Sequence, residues 1–142
     1  MLQRILIVDD EERFRTTLGK RLSERGLDVE TVGSGEEALK IVKEKLFDVI
    51  ILDVKMPGMD GIETLTELKK INPNIEVLLL TGHASVDSAV DGMRLGAYDY
   101  LMKPCEIEVL MEKINGAYDI KAGRDDRIRQ AEIRRLVDRS PS

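Results

Sequence analysis

A single cysteine, Cys105, leaves no partner for an internal disulfide and excludes a zinc site built on several cysteines. No apolar run approaches the roughly 20 residues needed to cross a bilayer. The opening Met1-Leu2-Gln3-Arg4 lacks the long apolar stretch of a signal peptide. An excess of basic charge is also missing: 22 Lys and Arg stand against 27 Asp and Glu, a net charge of −5, so bulk charge does not draw the chain to a polyanion. What is present is 42% apolar and 35% charged residues over 142 positions, enough to close one core and too few for two comfortable domains. The expectation is a single-domain cytoplasmic protein with no membrane segment.

A short apolar run followed by an amphipathic stretch recurs five times. Ile5-Leu6-Ile7-Val8 is continuous and β-branched, as suits a strand covered on both faces. Phe14, Leu18 and Leu22 then share one helical face, and Gly26 closes that helix. Residues 27–32 alternate and predict a partly exposed second strand. Ser34 is the N-cap candidate for a helix burying Ala38, Leu39 and Val42. Residues 48–52 predict a central strand, and Lys55-Met56-Pro57-Gly58-Met59-Asp60-Gly61 is loop chemistry. A helix carrying Ile62, Leu65 and Leu68 ends at Asn72-Pro73-Asn74. Residues 77–80 give the fourth strand. A helix from about Ser85 to Leu95 is expected to turn Val86, Ala89, Val90 and Met93 inward. Residues 99–102 give the fifth strand, and a last helix from near Glu106 is expected to bury Val109, Leu110 and Ile114.

Strand–helix alternation of this length implies parallel strands, right-handed crossovers and helices on both faces. The compact solution is an α/β, flavodoxin-like, doubly wound five-stranded sheet in the order 2-1-3-4-5, with five helices, the last possibly extended. In such sheets chemistry gathers at the carboxyl ends of the strands. Here those ends carry Asp9-Asp10, Asp53, Thr81 and Lys103. Carboxylates about 4 Å apart repel by roughly 4 kcal/mol at an effective dielectric near 20. Such a group shares a proton or binds a cation, and hard oxygen donors beside an open loop favour Mg²⁺, with Mn²⁺ as the substitute. Asp53 alone on the central strand then has the position of a carboxylate nucleophile toward phosphorus, with Lys103 available to neutralise phosphoryl oxygens.

Four segments, Ile5-Leu6-Ile7-Val8-Asp9-Asp10-Glu11, Leu52-Asp53-Val54-Lys55-Met56-Pro57-Gly58-Met59-Asp60-Gly61, Leu80-Thr81-Gly82 and Gly96-Ala97-Tyr98-Asp99-Tyr100-Leu101-Met102-Lys103-Pro104, together resemble the receiver domain of two-component response regulators over about residues 3–120. The resemblance implies that Asp53 accepts a phosphoryl group from a sensor histidine kinase. It implies Asp10 as a direct metal ligand, Asp9 as a second acidic ligand acting directly or through water, and Asp53 and the Lys55 backbone carbonyl as the others. Thr81 would be the switch hydroxyl, Tyr100 the aromatic that moves with it, and Lys103 the lysine bridging to the acceptor across a cis Lys103–Pro104 bond. The face formed by the fourth helix, fifth strand and fifth helix would then select a downstream protein or a second copy. The side chains of Lys55 and His83 would tune the phosphoryl lifetime.

Plainer readings exist for several of these residues. Asp9-Asp10 serves equally as a helix N-cap, Thr81-Gly82 as a turn, Tyr100 as packing, His83 as a solvated loop side chain and Cys105 as a small half-buried hydrophobe. Two rival functions meet specific obstacles. A dehalogenase-type phosphatase needs an acid where Lys55 stands, and a flavin module needs a phosphate-binding loop where Asp9-Asp10-Glu11-Glu12 would repel one. Beyond residue 120, the stretch 121–139 holds seven basic and four acidic residues, while the rest of the chain is −8. With Gly116 and Gly123 each weakening a helix by roughly 1 kcal/mol, residues 121–142 read as a charged extension or linker, partly helical or disordered. Without an aromatic residue or a second recognition helix, this tail is not expected to bind nucleic acid by itself.

Overall fold

The computed structural model describes residues 2–82 and 86–138. Ten elements alternate strictly: β1 Arg4–Val8, α1 Glu12–Glu24, β2 Asp28–Val32, α2 Gly35–Glu44, β3 Val49–Leu52, α3 Gly61–Ile71, β4 Glu76–Thr81, α4 Val86–Arg94, β5 Asp99–Met102 and α5 Ile107–Asp138. The strands are all parallel, in the order β2-β1-β3-β4-β5. The expected fold class is therefore the observed one.

Period-two alternation within the strands builds the two halves of the core. Ile5, Ile7, Val49, Ile51, Leu78 and Leu80 face α1 and α5, where Leu18, Leu22, Leu110 and Ile114 meet them. Leu6, Val8, Ile50, Leu52, Val77 and Leu79 face the other way, against Ala38, Leu65 and Leu68 of α2 and α3. The central strands carry apolar residues at both parities because both faces are covered. Edge strand β2 is only partly buried. Local signals also hold: the Ser34 hydroxyl accepts the Glu37 N–H, Asp60 accepts the Glu63 N–H, and Gly26 after α1 has φ +89°.

Two inward faces differ from expectation. In α4, Val90 and Met93 are exposed at 42% and 47%, and it is Gly92 that is buried. A Cβ on Gly92 would lie 2.4 Å from Leu79 Cδ1, so the helix approaches β4 closely at this glycine and leaves Val90 and Met93 outside. The expected start at Ser85 lies outside the described residues. In α5, Val109 is exposed while Ile107, Leu110, Ile114 and Ala117 are buried.

The last helix does not stop near residue 120 but continues to Asp138. Gly116 lies within it, and a side chain there would strike the Tyr98 hydroxyl, which occupies the space. The first turn beyond residue 120 is tied to the amino ends of the sheet. Arg124 Nη1 lies 2.9 Å from Glu76 Oε1 and donates to the Asn74 carbonyl at 3.3 Å. Lys121 bridges Asp125 at 2.8 Å and Asp48 at 3.8 Å. Lys69 donates to the Ile75 carbonyl at 2.6 Å, and burial pulls its ammonium below its ordinary value against the opposing pull of Glu76. Further out, Ile128, Ile133, Leu136 and Val137 are exposed.

Glu76 is 4% exposed, so its carboxylate depends on Arg124. Removing one partner of a fully buried pair costs about 3–5 kcal/mol. Arg124 is a third exposed, which screens the interaction. Arg124→Ala is expected to destabilise the chain by about 1–2 kcal/mol in urea unfolding, and adding Glu76→Gln to that variant should recover most of the loss. A chain cut after Asp119 should behave like Arg124→Ala.

Candidate functional site

The backbone ladder places the acidic groups. The Asp53 N–H donates to the Val8 carbonyl at 2.9 Å, and the Asp9 N–H to the Val32 carbonyl at 3.2 Å. Pairing thus runs one residue past each strand and holds both side chains at the carboxyl rim. Asp9 and Asp53 are 2% and 3% exposed, whereas Asp10 is open to solvent. One carboxylate oxygen from each of Asp9, Asp10 and Asp53 lies within 4.8 Å of the others. Thr81, fully buried, ends β4, and its carbonyl accepts the Lys103 N–H at 2.9 Å.

Lys103 follows β5 and precedes a cis peptide bond to Pro104. Its ammonium donates to Asp9 Oδ2 at 2.7 Å and to Glu11 Oε1 at 3.4 Å, and lies 3.9 Å from Asp53 Oδ2. The Phe14 ring centroid is 3.9 Å from the same nitrogen. Protonation in this group is uneven. At Asp9, burial outweighs the Lys103 and Glu11 hydrogen bonds and lifts the carboxyl above its ordinary value. At Lys103, burial pulls the ammonium down, but Asp9, Asp53 and Glu11 outweigh it and raise its pKa.

The loop after Asp53 is pinned at two points. Gly61 packs on the acceptor strand so closely that a Cβ there would sit 2.2 Å from the Asp53 carbonyl oxygen. The Glu36 carboxylate accepts the Met59 N–H at 3.1 Å. Lys55 is exposed, and its N–H points at Asp53 Oδ1 at 3.4 Å. Tyr100 on β5 packs against the core half that contains Leu79; its hydroxyl is buried without a hydrogen-bond partner among the described residues. His83 lies outside the described residues. Cys105 is half-buried, and burial raises its thiol pKa.

The structure therefore brings Asp9, Asp10, Asp53 and Lys103 into one cluster, with Thr81 on the adjoining strand end. Sequence reasoning did not assign Glu11, Phe14 or Glu36 to this rim. For Glu11 the signal was available in its place one residue after the acidic pair. Phe14 read only as core because it shares a face with Leu18 and Leu22.

A family model for the response regulator receiver domain matches residues 5–115. The chain belongs to that family. It is 43% identical over 113 residues to the transcriptional regulatory protein ZraR of Klebsiella oxytoca, an alignment covering 80% of this chain and 26% of that protein. The chain thus matches about a quarter of the length of such relatives. Among solved structures, a CheY-like receiver domain protein from Methanospirillum hungatei JF-1 superposes with a TM-score of 0.84 at 32% identity, over 87% of this chain and 99% of that one. The beryllofluoride-activated NtrC4 receiver domain dimer gives a TM-score of 0.79 at 40% identity, over 83% and 98%. Receiver domains generally bind Mg²⁺ at acidic residues. Three carboxylates, two of them deeply buried, with the Lys103 ammonium as the one cation paired to them among the described residues, suit a hard divalent cation.

Because the Asp9 pKa is raised, the folded chain holds that proton more tightly than the unfolded chain. Far below the ordinary value of 3.8 both states hold it and it contributes nothing. As pH climbs from there through the folded pKa, stability is lost. Without metal at neutral pH, Asp9→Asn should be more stable than the unsubstituted chain by on the order of 1 kcal/mol, roughly 3 °C in Tm. The gap should close on acidification. Adding Mg²⁺ should stabilise the unsubstituted chain by mass action and Asp9→Asn less. Thermal melts in chelator and in Mg²⁺ across this pH range measure both effects.

Proposed function

We propose that this receiver accepts a phosphoryl group on Asp53 from a partner histidine kinase. The observation that carries this reading is the buried Asp53 carboxylate at the end of the central strand, beside two further carboxylates and 3.9 Å from the Lys103 ammonium. In the step, an Asp53 oxygen attacks phosphorus and an O–P bond forms. The bond from phosphorus to the donor histidine nitrogen breaks, and the imidazole leaves with the electron pair. Asp9, Asp10, Asp53 and the Lys55 backbone carbonyl would hold Mg²⁺, which when bound offsets charge on the phosphoryl oxygens. Lys103 contributes a second positive charge on the other side, and Thr81 a hydroxyl to the same oxygens. Tyr100 follows Thr81.

The chain's own part in the chemistry is self-catalysed transfer and hydrolysis; it is a signalling acceptor and not a turnover enzyme. Occupancy of Asp53 shifts a two-state equilibrium whose output face comprises α4, β5 and α5. Exposed Val90, Met93 and Met102 give that face its apolar character. Its occupant is a downstream protein or a second copy, and the dimer formed by the activated NtrC4 receiver supports the latter. No direct contact with nucleic acid is assigned to this segment. Residues 1–120 are the receiver and 121–142 a charged extension or linker, belonging to a stand-alone regulator or to the N-terminal piece of a longer transcriptional regulator. No helix among the described residues is long and apolar enough to cross a membrane, and we assign the protein to the cytoplasm.

Incubation with Mg²⁺ and acetyl phosphate should add one phosphoryl group by mass spectrometry. Asp53→Asn should abolish it, and Thr81→Ala should retain the adduct but lose the response to it. An adduct of unchanged yield in Asp53→Asn would overturn the assignment. Lys55→Ala and His83→Ala should change the rate of adduct loss; unchanged lifetimes in both would remove those side chains from the reading.

A further inference from the structure

The Lys103 ammonium sits between two kinds of neighbour. On one side are the oxygens of Asp9 and Glu11, at 2.7 and 3.4 Å. On another is the face of the Phe14 ring, with its centroid at 3.9 Å. The Asp53 oxygen, at 3.9 Å, is beyond hydrogen-bond range. Lys103 is only 14% exposed, so water is largely replaced as its solvation shell. A buried ammonium needs its N–H directions met, and an aromatic face carries the negative side of a quadrupole that meets one without a proton acceptor.

The ring's position is fixed from below. Phe14 stands in the first turn of α1, on the face that carries Leu18 and Leu22 into the core half lined by Ile7, Ile51 and Leu80. Next to the ring, a cavity of about 80 Å³ is bounded by Phe14, Leu18, Leu80, Lys103 and Leu110. The lysine stem therefore has free volume beside it in which to change direction. An aliphatic residue at position 14 would fill the space equally well but offer the ammonium nothing.

We infer that Phe14, with Asp9 and Glu11, forms a resting seat for the Lys103 ammonium that keeps it off Asp53, and that Lys103 leaves the seat when Asp53 carries a phosphoryl group. This rests on the reading of Asp53 as acceptor. Phe14 is thus a positioning residue. Its consequence is chemical: a lysine resting on Asp53 would neutralise the attacking oxygen, whereas a lysine resting on Phe14 and Asp9 leaves that oxygen anionic and stays one short swing from the product. Three phosphoryl oxygens then outcompete the ring.

The seat has a direct signature. Protons held over an aromatic face shift upfield, so the Lys103 ε-methylene signal of the full chain, assigned by comparison with Lys103→Arg, should lie upfield of the other lysines. Phe14→Leu should return it to the ordinary position and Phe14→Trp should keep it upfield. Beryllofluoride with Mg²⁺ should move it downfield in the unsubstituted chain. Phosphorylation by acetyl phosphate should slow roughly three- to ten-fold in Phe14→Leu and recover in Phe14→Trp. The effect should lie in the rate at saturating donor and not in the donor concentration for half-maximal rate. Thermal melts of both variants exclude unfolding as the cause. An ordinary shift in the resting chain, or equal rates in the Leu and Trp variants, would overturn the seat. An upfield signal that persists once the adduct has formed would overturn the release. If no adduct forms in any chain, the acceptor assignment and the release both fall, and the resting shift still decides the seat.

Discussion

One ion pair organises the functional end of this molecule. Asp9 and Lys103, 94 positions apart in the chain, meet at 2.7 Å between the carboxyl ends of β1 and β5. These two strands are not neighbours, because β3 and β4 lie between them. The pair therefore spans the switch point at which the sheet changes winding direction, and there the side chains from opposite directions converge without competing for backbone partners. Burial of Asp9 would be costly without the lysine, and burial of Lys103 would be costly without the carboxylates. At Lys103 the carboxylates outweigh the penalty, whereas at Asp9 the lysine offsets only part of it and the nearby Asp53 charge adds to it.

Much of this was legible from the residues. Ile5-Leu6-Ile7-Val8 and Val49-Ile50-Ile51-Leu52 announce doubly covered strands, and each is followed by the aspartate that the rim requires. Strand order follows from handedness and burial once the alternation is seen, so Asp9, Asp10, Asp53, Thr81 and Lys103 could be brought to one edge from sequence alone. What the sequence concealed depends on distance of approach. The inward face of α4 was misread because hydrophobicity names Val90 and Met93, whereas packing chose Gly92, the residue whose lack of a side chain admits Leu79. Helical periodicity locates a stripe but does not tell a helix resting on large residues from one pressed close on small ones.

The sheet's opposite end was hidden for a different reason. Glu76 precedes an apolar run and looks like the polar border of a strand, yet it is itself inside β4 and buried. Its partner Arg124 stands in a stretch whose composition resembles a solvated tail. Neither residue is informative without the other, and nothing local connects them. The same holds for Phe14: its spacing from Leu18 identifies a core face, and only the arrival of Lys103 from the far side of the sheet gives its ring a second neighbour.

The two ends of the sheet therefore use charge in contrasting ways. At the amino end, Glu76 is matched by Arg124 and Lys121 by Asp48 and Asp125, and these pairs tie α5 to the sheet where it leaves the body. At the carboxyl end, three carboxylates face one buried ammonium, and the surplus is negative. A matched cluster has nothing to gain from a further ion, whereas a surplus is relieved by a cation and redistributed when an anionic group is added. The imbalance at the rim makes that end responsive, and α5 is packed on the same sheet and anchored at the balanced end. The helix that begins four residues after Lys103 and runs on beyond Arg124 is the element common to both ends.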